Sequence, residues 1–187
     1  MHRCLLGLLL VGLSIGSACD APTEPAASRA VYEALLARPA LTRGAERDSS
    51  FAAGFWPYRI YTGFAKRGGR VARSAETWTP LFDTLQLSRI PKRPPLAVDF
   101  TQEMVVLALY GGASSGGHVV RIRHVTLARD TLFVLAERIA PGASCVVTAA
   151  VTAATDARVI PALGAPVIVL FAPYVHDCDT ERDRPAW

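Results

Sequence analysis

The sequence predicts an α+β fold: a mostly antiparallel sheet covered by one main helix, with an accessory N-terminal helix after a flexible tether. Residues 104–110 form an apolar run, which is typical of a strand buried on both faces. Residues 119–125 alternate apolar and polar side chains, which indicates a strand with one face in water. The third observation is an apolar stripe at helical spacing, formed by Trp78, Leu81, Phe82 and Leu85.

The remaining elements follow from shorter patterns, taken in chain order. Apolar side chains at helical spacing begin after the candidate N-cap Ser28 and stop at Pro39, which predicts the accessory helix. Ser74 can cap the main helix, with Pro80 in or near its first turn. We further predict a hairpin of residues 59–64 and 71–73 around a turn at 66–69, a hairpin of 119–125 with 132–137, and strands at 145–151 and 167–171.

The N-terminus has the pattern of a bacterial export leader. A basic start precedes an uncharged apolar run over residues 4–15, and three small residues stand directly before Cys19. The run is too short to cross a bilayer of about 30 Å. We interpret residues 1–18 as a lipoprotein signal peptide and Cys19 as the lipid-carrying residue, which anchors the exported protein in the cell envelope. Cleavage by an ordinary signal peptidase at the same small residues, giving a secreted protein, is the alternative.

Composition divides the rest of the chain into four segments. Residues 19–28 are rich in proline and small residues and suit a tether between the lipid and the fold. Residues 29–57 contain the accessory helix and an irregular segment, residues 58–178 form the α+β domain, and residues 179–187 form a polar tail.

The cysteines indicate one disulfide. Removing the leader removes Cys4, and acylation of Cys19 leaves Cys145 and Cys178 as the only free thiols. An oxidising compartment favours a bond between these two. Two buried, unpaired cysteines are the alternative.

Charge and residue spacing argue against several classes of protein. The net charge of +4 is spread along the chain without a basic stripe and interleaved aromatics, so we expect no nucleic-acid partner. His118 and His124 lie six residues apart, and no third ligand stands at a diagnostic spacing. The sequence therefore predicts no metal site and no cofactor.

A glycine-rich segment follows the central strand. Gly112, Ser114 and Gly116 formally match the nucleophile elbow of the α/β-hydrolases. A nucleophile elbow enters a helix, whereas this segment enters the alternating strand, so we interpret it as a structural turn. The alternative is a shallow anion or peptide site, formed by amide groups of the turn beside Tyr110 and His118.

Several short motifs follow one another between residues 71 and 152. They include Asp99 and Phe100 at a strand entry, Gly111 after the central strand, the run from Ser115 to His118, and Pro141 leading to Cys145. In order and spacing this segment resembles the C-terminal domain family of PrcB, the protease-complex-associated polypeptide. Ser115 and His118 stand where that family usually has threonine and tyrosine.

The resemblance implies a non-catalytic, exported accessory domain of envelope proteins. It marks as family motif and possible interaction loop the residues Asp99, Phe100, Tyr110, Gly111, Ser115, Gly116, Gly117 and His118.

Two functional hypotheses follow. The first is a non-enzymatic envelope lipoprotein whose domain binds or stabilises another exported protein, for example a protease complex. The second is a small envelope hydrolase or ligand-binding protein that uses the glycine-rich loop from Ser114 to His118. They differ in whether a histidine lies within reach of a serine in a concave site or whether the loop is an open turn.

Overall fold

The fold is α+β, as the sequence predicts. The computed structural model describes residues 29–41, 62–88, 90–92, 94–95 and 97–179, so the leader, Cys19, the tether and residues 180–187 of the polar tail lie outside the described residues. The helices are α1 (Arg29–Leu36) and α2 (Ala75–Leu85). The strands are β1 (Gly68–Ala72), β2 (Glu103–Leu109), β3 (Val119–Ala128), β4 (Thr131–Pro141), β5 (Thr155–Pro161) and β6 (Val167–His176).

The strands form two three-stranded sheets, where the sequence predicts one. The first sheet has the order β1-β2-β5, and both of its pairings are antiparallel. The second has the order β3-β4-β6, in which β3 and β4 are antiparallel and β4 and β6 are parallel. The break between sheets falls at the glycine-rich segment after β2, which lets β3 leave the plane of the first sheet.

The two sheets face each other across a shared core. Alternate residues of every strand supply it, including Met104 and Val106 of β2, Ile122 of β3 and Val134 of β4. Where β3 meets β5, the amide of Ile122 donates to Asp156 Oδ2 at 2.7 Å. Strands β1 and β6 are also in contact, so the six strands enclose the core as a barrel-like structure.

Helix α2 packs on the outer face of the first sheet. Its buried side chains Trp78, Phe82 and Leu85 contact the outward-facing residues of β2, so β2 is buried on both faces. Ser74 caps the helix, because its Oγ accepts from the amide of Thr77 at 3.2 Å. Pro80 lies inside the helix and not in its first turn.

Helix α1 covers the second sheet. Tyr32 and Leu35 are buried against Leu135 of β4, with Leu170 and Ala172 of β6 packed beside them. The helix therefore belongs to the packed structure. No helix within the described residues is long and apolar enough to cross a membrane.

The predicted hairpin of residues 59–64 and 71–73 is wrong where the structure describes it. Residues 59–61 lie outside the described residues, 62–64 are irregular, and the predicted turn at 66–69 runs into β1, which pairs with β2. Glycine fits within this strand, because a Cβ at Gly69 would overlap Cγ2 of Val169 on β6.

Two further strand predictions need correction. Residues 145–151 form no strand, and the strand of this region is β5, which begins at Thr155. Strand β6 continues past residue 171, the end of the predicted strand, to His176. The hairpin of β3 and β4 is confirmed, as is the partly exposed face of β3 that carries Arg121 and Arg123.

Candidate functional site

The glycine-rich turn joins β2 of the first sheet to β3 of the second. Gly111 and Gly117 have φ angles of 87° and 80°, a region that L side chains adopt at a cost. Tyr110 precedes this turn and His118 ends it, so the turn brings the two side chains together. Their rings meet edge to face, with centroids 5.0 Å apart.

Three polar side chains close the inner space of the barrel at this end. Every second residue of a strand points into the barrel. Tyr110 continues the inward row of β2 beyond Ala108, and Arg138 continues that of β4 beyond Ala136. His118 stands two residues before Val120, the first core residue of β3. The Arg138 guanidinium carbon lies 5.0 Å from the centroid of the Tyr110 ring, a cation–π contact. We call these three side chains, together with Ser115 of the turn, the mouth of the barrel.

A chain of hydrogen bonds runs through the mouth. Tyr110 Oη lies 2.6 Å from His118 Nδ1, and Ser115 Oγ lies 3.2 Å from His118 Nε2. Both ring nitrogens of His118 therefore have a hydroxyl partner, which fixes the orientation of the imidazole.

The environment keeps His118 neutral. Burial lowers the pKa of the imidazole below its usual value, and the positive charge of Arg138 lowers the pKa further. Because its pKa is lowered, the imidazole binds a second proton and becomes positively charged only at a more acidic pH than a free histidine does. At neutral pH the mouth therefore carries a single formal charge, that of Arg138.

Arg138 has no anionic partner among the described residues. Its Nε atom is buried and makes no hydrogen bond, and the ion pairs found in the described ranges involve other residues. A partly buried cation without a counter-charge is unfavourable, because burial removes part of its hydration.

A loop of residues 142–151 packs against the glycine-rich turn. The amide of Gly116 donates to Thr148 O at 2.8 Å, and Thr152 Oγ1 donates to Ser115 O at 2.7 Å. The predicted pairing of Cys145 with Cys178 is confirmed, with their Cα atoms 5.0 Å apart in a disulfide. The disulfide joins this loop to the residues that follow β6.

The structure places the predicted motif residues in two separate regions. Tyr110, Gly111 and the turn from Ser115 to His118 lie together at the mouth. Asp99 and Phe100 lie at the opposite end of β2, where Asp99 Oδ1 accepts from the Thr101 amide at 3.1 Å. Phe100 packs with the α2 side chains there. Asp99 and Phe100 thus form a local turn and are not part of the mouth.

Two features of the mouth differ from the expectation. Ser114, the motif serine, is exposed, and Ser115 is the serine within reach of the histidine. Arg138 is a functional candidate that the motifs do not reveal. Its signal is an arginine at an inward position of a strand, in phase with Leu132, Val134 and Ala136.

In comparisons with known proteins, no family model, no curated protein and no solved structure matches this chain. The resemblance to the PrcB C-terminal domain family therefore stays a prediction from the motif residues. Within the described ranges, no group of three or more potential metal-binding side chains is present.

Proposed function

We propose that this chain is a non-enzymatic, exported bacterial lipoprotein whose PrcB-like domain binds or stabilises another envelope protein, for example a protease complex. In this proposal Cys19 carries the lipid, the tether spans from the membrane to the fold, and the barrel end that carries the mouth meets the partner.

The observation that supports a binding role is that exposed apolar side chains concentrate on the 142–151 loop, which packs on the glycine-rich turn, and on the end of β6, which is hydrogen-bonded to the same loop. Half of the ten large exposed hydrophobic residues found in the described ranges lie on the 142–151 loop or at the end of β6. Val146 is fully exposed, and Val151 and Val175 are each 65% exposed. An apolar patch of this kind marks an interaction surface. We call it the apolar rim, formed by Val146, Val147, Val151, Tyr174 and Val175.

The electrostatics of the mouth favour binding over serine hydrolysis. A histidine that activates a serine must become an imidazolium, which a catalytic triad stabilises with a carboxylate. Here the third group is the phenol of Tyr110 and not a carboxylate, and the cation of Arg138 opposes a positive charge on His118. The arrangement therefore disfavours the proton transfer on which hydrolysis depends.

Photo-crosslinking tests the binding role. A photoreactive residue at position 146 should crosslink the full chain to a specific envelope protein in the bacterium that makes it, whereas the same residue at position 31 should not. Val31 is the matched control, because it is an exposed apolar residue on α1 and is not part of the rim. A second arm changes Val151 to Glu and should abolish the crosslink from position 146. Equal crosslinks from both positions, or none from either, would contradict the proposal.

Anchoring gives a separate prediction. The mature protein should fractionate with membranes and incorporate a labelled fatty acid, because two or three acyl chains hold a protein firmly where one does not. Cys19→Ser should abolish labelling and release the protein from the membrane. Retention of the variant on membranes, or absence of label on the native protein, would show that the lipoprotein interpretation is wrong.

Reactivity with a fluorophosphonate probe distinguishes the two functional hypotheses. We expect no labelling of the full chain, because His118 is a poor proton acceptor beside Arg138. Labelling that disappears in Ser115→Ala but persists in Ser114→Ala would establish an activated serine at Ser115 and favour the hydrolase.

A further inference from the structure

Arg138 lies at an inward position, where a negatively charged partner would stabilise its guanidinium. Its strand neighbours at the same phase, Val134 and Ala136, are fully buried and apolar, whereas Arg138 brings a permanent charge to the end of that row. The Tyr110 ring supports the face of the guanidinium, but no acceptor within the described residues satisfies Nε. Replacing the charge by an apolar side chain would remove the desolvation cost, so an anion from outside the chain explains its presence best.

We propose that the mouth binds a carboxylate group of the partner protein through the guanidinium of Arg138. The inference rests on the proposed function, because it names the chemical group by which the partner is recognised. A guanidinium presents paired N–H donors that match the two oxygens of a carboxylate.

The surroundings of Arg138 suit this ligand. Arg138, His118 and Ser115 are each partly exposed, so an anion reaches them without unfolding a strand. The hydroxyl of Ser115 lies beside the imidazole and is available as a further hydrogen-bond donor. Polar groups that converge at the end of a barrel, with apolar residues around them, are the usual composition of a binding site.

The charge at the mouth selects a monovalent anion. Arg138 supplies one positive charge, and a neutral His118 adds none at neutral pH. A carboxylate balances that charge, whereas a phosphate dianion would leave an excess negative charge in a partly desolvated site. The apolar rim beside the mouth suits the flanking residues of a polypeptide.

Nitrogen-15 NMR of the full chain in a non-ionic detergent tests the proposal through the Arg138 Nε–H signal. The probes are acetate, inorganic phosphate, the peptide N-acetyl-Ala-Ala-Ala with a free carboxylate, its C-terminal amide, and N-acetyl-Ala-Asp-Ala-amide. We expect saturable shifts with acetate and with at least one carboxylate peptide, which should bind at least about tenfold more tightly than acetate through its flanking residues. The Ala-Ala-Ala amide, which lacks a carboxylate, should cause no shift.

Arg138→Met keeps an apolar chain over the Tyr110 ring but removes the charge, and peptide affinity measured by calorimetry should fall at least about tenfold. Arg121→Met is the matched control, because it removes the same charge from the neighbouring strand at an outward position. We expect its affinity to equal that of the native chain.

Three outcomes would overturn the inference: no saturable shift with any carboxylate, unchanged affinity in Arg138→Met, or tighter binding of phosphate. Acetate that binds as tightly as the peptides would overturn the assignment to a protein partner. These failures are distinguishable from failure of the proposed function, because the crosslink from position 146 would persist if another group recognises the partner. Loss of that crosslink with intact peptide binding would instead contradict the proposed function.

Discussion

Removal of the disulfide by Cys145→Ser and Cys178→Ser will lower the free energy of unfolding by about 3–4 kcal/mol. The two cysteines are 33 residues apart in sequence, and closing a loop of this length restricts the unfolded chain by about that amount. For a chain of 187 residues the melting temperature should fall by roughly 6–16 °C. Chemical denaturation followed by circular dichroism measures the first quantity, and calorimetry measures the second.

Cys19→Ser is the matched control for this experiment, because it replaces a cysteine that forms no part of the disulfide. Its unfolding transition should coincide with that of the native protein, and native protein in reductant should behave like the double variant. Intact mass after alkylation checks the premise. Two alkylation events at Cys145 and Cys178 in denatured, unreduced protein would contradict it, as would equal stability of the double variant.

The disulfide also bears on the proposed binding surface. It ties the 142–151 loop to Cys178, just after β6, and the apolar rim lies on this loop and on the end of β6. Other links between them include the hydrogen bond from the Gly142 amide to His176 O, at 2.7 Å. A surface held in place before binding loses less conformational entropy on association. We therefore expect the double variant to crosslink less efficiently from position 146 even below its melting temperature.

Strands with strong local patterns could be predicted from the sequence. The apolar run of β2 and the alternation of β3 report their burial directly, because both faces of β2 and one face of β3 are covered. The division into two sheets could not be predicted. It depends on the pairing of β2 with β5, two strands that are far apart in sequence. Val106, for example, pairs with Arg158, and Leu109 pairs with Thr155.

The prediction of a strand at 145–151 is wrong for a physical reason. This segment is apolar, yet Thr148 O accepts a hydrogen bond from the Gly116 amide of the glycine-rich turn, and the first residue of the segment, Cys145, forms the disulfide. Its apolar side chains therefore stay on the surface, with Val146 fully exposed. Strand β5, by contrast, contains Asp156 and Arg158, whose polar groups bond to Ile122 of β3 and make the strand look less buried than it is.

The candidate site was predictable only in part. The glycines, Tyr110 and His118 lie within ten residues of one another, so a local motif brings them to notice. Arg138 joins them from β4, and its inward phase becomes visible only when the boundaries of that strand are known. That Ser115, and not Ser114, lies beside His118 depends on the hydrogen bond from Thr152 Oγ1 to Ser115 O. Thr152 is 37 residues away in the sequence.

Substitution of Gly111 by Ala will destabilise the protein by about 2–5 kcal/mol. Gly111 has a φ of 87°, where a side chain costs about 1–2 kcal/mol. A Cβ there would also lie 2.8 Å from the backbone nitrogen of Arg67, and forced overpacking of this kind costs about 1–3 kcal/mol. The obstacle is backbone, so it cannot yield by a change of rotamer. Chemical denaturation measures the loss.

Gly112→Ala provides the control one residue away. A Cβ at Gly112 would contact only Ala65 O, at an ordinary 3.6 Å, and its φ is not in the positive region, so stability should change by less than about 0.5 kcal/mol. Equal stability of the two variants would contradict the account of the turn. Because Gly111 directly follows Tyr110, any backbone shift that relieves the clash displaces the phenol from His118. Gly111→Ala should therefore also weaken peptide binding at the mouth, under conditions where the variant is still folded, whereas Gly112→Ala should not.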